Sequence, residues 1–145
     1  MAIDRADWHS GGDFPSELPS ENGGTHIGMF LAWIILNGLQ GEFHDEESPD
    51  ELLAVRQRQM TGRDFLFRCC DGKFWDEDLS DEGKRFACAY YSGPSGNGYG
   101  QYIDDYEDNL AESAASIYHV ADTWENYDVL APVITRRYES WKGIA

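Results

Sequence analysis

Apolar residues recur at spacings of three and four along much of this chain, and those spacings predict most of its elements. The longest pattern is Trp124, Tyr127, Ala131, Ile134, Tyr138 and Trp141, one face of an amphipathic helix. Pro132 lies inside it and predicts a kink or a split near Ala131, because proline cannot donate into the helical ladder and its ring crowds the preceding turn. Upstream, MFLAWIIL at Met29 to Leu36 is apolar almost all round. A helix without a polar face is a buried one. This places a central helix from a cap at Thr25 to about Leu36, with Asn37-Gly38 as its stop.

Capping signals mark further helices. In Ser48-Pro49-Asp50-Glu51 the serine caps, the proline takes the first helical position, and the glutamate follows three residues after the cap. That helix carries Leu52, Val55 and Met60. Thr61 starts another that runs through Cys70 to Gly72, and Ser80 or Asp81 starts a third with Phe86, Ala87 and Tyr90 inward. Gln101 to Glu112 reads as a helix with Ile103, Tyr106 and Leu110 on one face. Ser92 to Gly100 reads as a flexible loop, and Ser116 to Val120 as a short strand or extended connection. The first 24 residues read as an irregular segment anchored by Trp8 and Phe14; pairing there as strands would move the fold toward α+β. The expected fold is mainly α: a single compact domain over residues 1–145, with five or six helices around Met29 to Leu36. At 145 residues, such a domain buries roughly 68% of the surface its unfolded chain exposes.

Charge changes this picture. The net charge is −16, from 27 acids against 11 bases. Ala6 to Val55 holds ten acids and no base, and Phe86 to Thr135 holds eight acids and no base. Phosphate binding needs clustered Lys and Arg, so nucleic acid is excluded as a direct partner, and an anionic membrane surface with it. The N-terminus has no basic region followed by an apolar run, and Met29 to Leu36 is far shorter than the roughly 20 residues of a membrane span. A cytoplasmic protein is expected.

Within the predicted helix at Gln101 to Glu112, Asp104, Asp108 and Glu112 fall at successive steps of four. Like charges at that spacing destabilise a helix by roughly 0.2–0.5 kcal/mol per pair. Trp75 beside Asp76, Glu77 and Asp78, and Tyr102 and Tyr106 beside Asp104 and Asp105, combine ring area with carboxylates. That pairing suits a surface that meets Lys and Arg, although Tyr106 also fits the core.

Signals for catalysis are sparse. His9 and Asp13 bracket Gly11-Gly12, and a turn there would bring imidazole and carboxylate together, either as an acid/base pair or as a structural hydrogen bond. With His26 they would form a pocket near the central helix. No two of the four histidines sit three or four apart, so no helical metal pair is expected. Six acids at Cys70 to Gly83 fail the calcium-loop spacing, and the glycines at 93, 96, 98 and 100 lack a phosphate-loop ending. Cys69, Cys70 and Cys88 fit neither a disulfide framework nor a zinc spacing, and Cys69 reads as a buried small hydrophobe. No metal and no cofactor are expected.

DRADWHSGGDFP (Asp4 to Pro15), THIGMFLAW (Thr25 to Trp33), FLFRCCDGKF (Phe65 to Phe74) and YHVADTWENYDVLAPVITRRYESW (Tyr118 to Trp141) together resemble a family of small bacterial proteins grouped as a domain of unknown function. The resemblance covers most of the chain and brings no catalytic residues with it. Small acidic proteins of this kind resemble the immunity partners of secreted antibacterial toxins. That implies a protein that occludes a basic, nuclease-like toxin through Trp75, Asp76, Glu77, Asp78, Tyr102, Asp104, Asp105, Asp108 and Glu112. The alternative is a small enzyme or ligand-binding protein using His9, Asp13 and His26.

Overall fold

In the computed structural model, which describes residues 2–11, 14–92, 100–112 and 114–143, helix α2 (Thr25–Leu36) has eleven of its twelve residues buried. Its all-round apolar surface leaves it no solvent face, and the other elements wrap it. The described chain runs β1 (Ala2–Arg5), α1 (Ala6–His9), a 3₁₀ turn (Ser20–Gly24), α2, α3 (Glu42–Glu47), α4 (Pro49–Arg56), α5 (Gly62–Cys69), β2 (Lys73–Trp75), a 3₁₀ turn (Asp76–Asp78), α6 (Asp81–Tyr90), α7 (Gln101–Tyr106), a π-turn (Glu107–Ala111), a 3₁₀ turn (Ile117–His119) and α8 (Trp124–Lys142). The fold is mainly α. The two helices beyond the expected six are the short α1 and α3. Among the described residues no helix is long and apolar enough to cross a membrane.

Helices α2 and α5 pack backbone to backbone. Gly28 and Gly62 face each other there, and a Cβ on Gly62 would overlap the Gly28 carbonyl. Thr61 caps α5 by accepting from the Asp64 amide, and Ser80 caps α6 by accepting from the Gly83 amide. Both starts are where the sequence puts them. On the other side of α2, Phe30 and Trp33 pack with Phe86, and Trp33 donates from Nε1 to Thr135 Oγ1 at 3.0 Å.

Several expectations are corrected. Part of the N-terminal segment is ordered as β1, which pairs antiparallel with β2, Asp4 opposite Phe74 and Arg5 opposite Lys73. Helix α8 runs unbroken through Pro132. Its inward residues are Tyr127, Leu130 and Ile134, a continuous apolar face whose packing outweighs the one lost backbone bond. The helix at Gln101 widens after Tyr106 into the π-turn, so the four-residue alignment of Asp104, Asp108 and Glu112 does not hold. Within Ser116 to Val120 the middle residues Ile117–His119 form a 3₁₀ turn, capped by Ser116, which accepts from the Tyr118 amide; Ser116 and Val120 alone are extended, and no strand forms. The glycine-rich loop lies outside the described residues, apart from Ser92 and Gly100.

The glycine contact sets a stability test. Gly62→Ala should destabilise the protein by about 3 kcal/mol, because backbone meets backbone and no side chain can yield. Gly11 faces open space, and Gly11→Ala should stay within about 0.5 kcal/mol of the parent. Urea unfolding of the two variants checks this.

Candidate functional site

Asp4 is the centre of the site. It sits on β1, 6% exposed, where the β1–β2 pairing sets it against the first turn of α2 and the end of α1. Its Oδ1 accepts from His9 Nε2 at 2.7 Å and from the Arg5 amide at 2.8 Å. Its Oδ2 accepts the Tyr91 hydroxyl proton at 2.5 Å and lies 3.4 Å from His26 Nε2. The two imidazoles meet edge to face, 4.5 Å between centroids. His9 Nδ1 is 2.9 Å from the Tyr118 hydroxyl. Tyr118 is placed by the 3₁₀ turn at Ile117 and by Asn22, which donates to its carbonyl at 2.9 Å.

These groups line a cavity of about 230 Å³, closed by Tyr102, Ile103, Glu107 and Ile117. Among the described residues no Lys or Arg lines it. The volume suits a ligand smaller than the usual drug-sized occupant.

The electrostatics separate the groups. Burial pushes the Asp4 carboxyl up, but hydrogen bonds from His26 and His9 outweigh it and hold Asp4 well below the usual carboxylate range. Burial pulls His26 down, against the opposing pull of Asp4, so its imidazole is neutral near pH 7. Burial first, and the Asp4 charge second, push the Tyr91 phenol well up. An ionised carboxylate can only accept. His9 must therefore donate from Nε2, and in its neutral form Nδ1 is left to accept the Tyr118 proton. His26 Nδ1 is buried with no hydrogen-bond partner among the described residues.

Of the pocket expected at His9, Asp13 and His26, the two histidines converge, and Asp13 lies outside the described residues. The carboxylate is supplied by Asp4, which the sequence reading did not single out although it opens the DRADWHSGGDFP stretch.

The expected partner surface holds only in part. Tyr102 is 1% exposed and donates to the His26 carbonyl. Asp105 is buried and accepts from the Tyr90 hydroxyl at 2.6 Å and from Arg137 Nε and Nη2 at 3.0 Å each. Asp78 is buried and accepts from the Trp75 amide at 2.7 Å. These three face inward and cannot meet a partner. Asp104, Asp108, Glu112 and Glu77 are exposed, and Trp75 and Asp76 are half-buried.

A second group of side chains also converges. His44 of α3, Cys70 at the end of α5 and Asp78 lie with His44 Nε2 2.6 Å from Asp78 Oδ1, and Cys70 Sγ 3.7 Å from that nitrogen and 3.6 Å from that oxygen. Cys70, not Cys69, is the buried thiol; Cys69 is half-buried. In each of the two groups, the three donor atoms lie within 4.8 Å of one another, close enough to share a metal ion. Spacing along one helix could show neither, since each side chain comes from a different element.

The shifts at Asp4 and His26 fix a direction for pH dependence. In the unfolded chain His26 takes up a proton near 6.5, while the folded chain keeps it neutral. The unfolded state then binds more protons, so stability falls as the pH drops below 6.5. Asp4 acts the same way lower down. Its folded carboxylate stays ionised while the unfolded one protonates near 3.8, and its contribution is lost below that pH. Urea unfolding between about pH 8 and pH 5 should show a slope of up to about 1.4 kcal/mol per pH unit below 6.5 from His26. His26→Gln should flatten it; equal slopes in the two proteins would contradict the assignment.

No curated protein and no solved structure matches the chain. A domain of unknown function, DUF7832, matches residues 2–120. That span holds β1 through the turn bearing Tyr118, and so every residue of both side-chain groups. The chain belongs to the DUF7832 family.

Proposed function

We propose that the chain is a small enzyme that binds a small polar molecule in the Asp4–His9–His26 cavity and moves a proton on it. The observation that carries this reading is the line Asp4 Oδ1, His9 Nε2, His9 Nδ1, Tyr118 hydroxyl, with steps of 2.7 and 2.9 Å. Carboxylate, imidazole and hydroxyl in that order are the parts of an activated hydroxyl group. Asp4 fixes the tautomer of His9 and stabilises its protonated form. His9 takes the phenolic proton, and Tyr118 presents its oxygen at the cavity wall. Neutral His26 and the Tyr91 phenol keep the Asp4 charge partnered without neutralising it. Asp4 and Glu107, with no Lys or Arg among the described residues lining the cavity, disfavour anionic ligands.

The chemistry can be tested without knowing the substrate. An aryl sulfonyl fluoride reacts with tyrosines in proportion to their activation, and peptide mapping by mass spectrometry reads each site. Tyr118 should be modified at least about a hundredfold faster in the parent than in His9→Gln, the low end of what a placed base contributes. Asp4→Asn should fall between the two. A Tyr118 rate unchanged by His9→Gln would reject the relay.

A second reading, a cytoplasmic protein that blocks a basic toxin, is supported by the exposed carboxylates Asp104, Asp108 and Glu112. Complementary charge of this sort speeds capture more than it tightens binding. Affinity capture with the tagged chain at low salt should retain a basic protein. Asp104→Asn with Asp108→Asn, leaving the buried Asp105 in place, should release it at lower salt than the parent does. Identical release would remove this face from the interface.

A further inference from the structure

We infer that His44, Cys70 and Asp78 form a zinc site, separate from the Asp4 cavity and independent of its function. The donor set is mixed, one imidazole nitrogen, one sulfur and one carboxylate oxygen, and each is a zinc ligand. Zn–S bonds of about 2.3 Å and Zn–N or Zn–O bonds of about 2.0–2.1 Å in a tetrahedron put the sulfur about 3.5 Å from the other donors. The observed separations are 3.7 Å to His44 Nε2 and 3.6 Å to Asp78 Oδ1. Only the 2.6 Å between nitrogen and oxygen must open, by about 0.7 Å to reach a tetrahedral edge.

Charge favours the metal. A thiolate, a carboxylate, a neutral imidazole and Zn²⁺ sum to zero, which suits a site where His44 is fully buried and Asp78 and Cys70 nearly so. Without an ion, the sulfur is held only by contacts too long to count as strong hydrogen bonds. The Asp4 group differs on this point. It has no sulfur, and short hydrogen bonds already use both oxygens of Asp4 and both nitrogens of His9.

The other half of each ligand is uneven. Asp78 Oδ2 is fixed by the Trp75 amide, as a metal-bound carboxylate usually is, whereas His44 Nδ1 is buried with no partner among the described residues. A missing outer partner weakens metal binding about 10–100-fold, so a moderate affinity is expected. Cys70 and Asp78 also border a groove of about 480 Å³ between Phe43, Phe67 and Trp75, which gives room for water as the fourth ligand. The zinc would tie α3, the end of α5 and the turn after β2 at one point.

Cobalt titration of the full chain tests this in the parent protein. Co²⁺ should give an intense near-ultraviolet thiolate-to-metal band that saturates at about one ion per chain, and Zn²⁺ should bleach it. Cys70→Ser should abolish the band, whereas Cys88→Ser, which alters an exposed thiol, should leave it. His44→Asn should weaken cobalt binding at least about tenfold, the effect of losing a ligand or its support. Absence of a thiolate band in the parent would overturn the proposal, and so would a band that survives Cys70→Ser. Zinc bound without any thiolate band would overturn it likewise, since the metal would then sit away from Cys70. None of these readouts depends on Tyr118, so the proton relay stands or falls separately.

Discussion

The contact between Gly28 and Gly62 is the constraint on which the rest of the structure depends. An apolar helix without a polar face must be covered on all sides, and α2 is covered first by α5 at a distance only two glycines allow. That approach fixes where the chain leaves α5. Cys70 and β2 follow directly, and β2 is the strand that receives β1. Asp4 therefore reaches the first turn of α2 because two backbones touch on the same helix. His26, two residues before Gly28, is held on the other side of that contact. The site is a consequence of the crossing, not an addition to it.

A carboxylate buried to this degree opposes folding unless it is paired and hydrogen-bonded. Asp4 has four donors or near-donors on its two oxygens: the Arg5 amide, His9, Tyr91 and His26. An apolar residue of similar volume would serve stability as well with far fewer requirements. Among the described residues, a buried nitrogen of His26 is also left without a partner. A charge kept ionised by imidazoles, beside a cavity and in line with a tyrosine hydroxyl, is the observation on which the proposed proton transfer rests.

The helices were legible because they obey local rules. Thr61 and Ser80 cap where their side chains can accept from the third residue on, and the apolar run of Met29 to Leu36 admits only burial. The failures share a different cause. Pro132 predicts a kink or a split because its local penalty is visible in the sequence and the packing of Leu130 and Ile134 is not. Asp105 reads as surface because its neighbours are acidic; its partners, Tyr90 and Arg137, are 15 and 32 residues away. Asp4 does not stand out because its contacts depend on Tyr91, 87 residues on, and on a strand pairing with β2 that no alternation announces. His9 and His26 could be named as candidates, but only the fold could say that they share a carboxylate. Long-range partners decide what a polar residue does, and a single sequence does not contain them.

The same distinction disposes of the net charge as a guide to function. The acids fall into two populations. Asp4, Asp78 and Asp105 are buried, and each is held by named donors from other elements. Asp104, Asp108, Glu112 and their exposed neighbours carry part of the formal −16, and like charge on a surface disfavours association between copies. Neutralising an exposed acid changes a field that falls off within a Debye length of about 8 Å at physiological salt. Neutralising a buried one leaves its donors unpaired in a medium where that is expensive. The converging polar contacts of this fold are therefore concentrated at its buried carboxylates. Asp105 braces α7 against α8. Asp4 and Asp78 gather histidines, with a tyrosine in one case and a thiol in the other, beside spaces large enough to take a ligand.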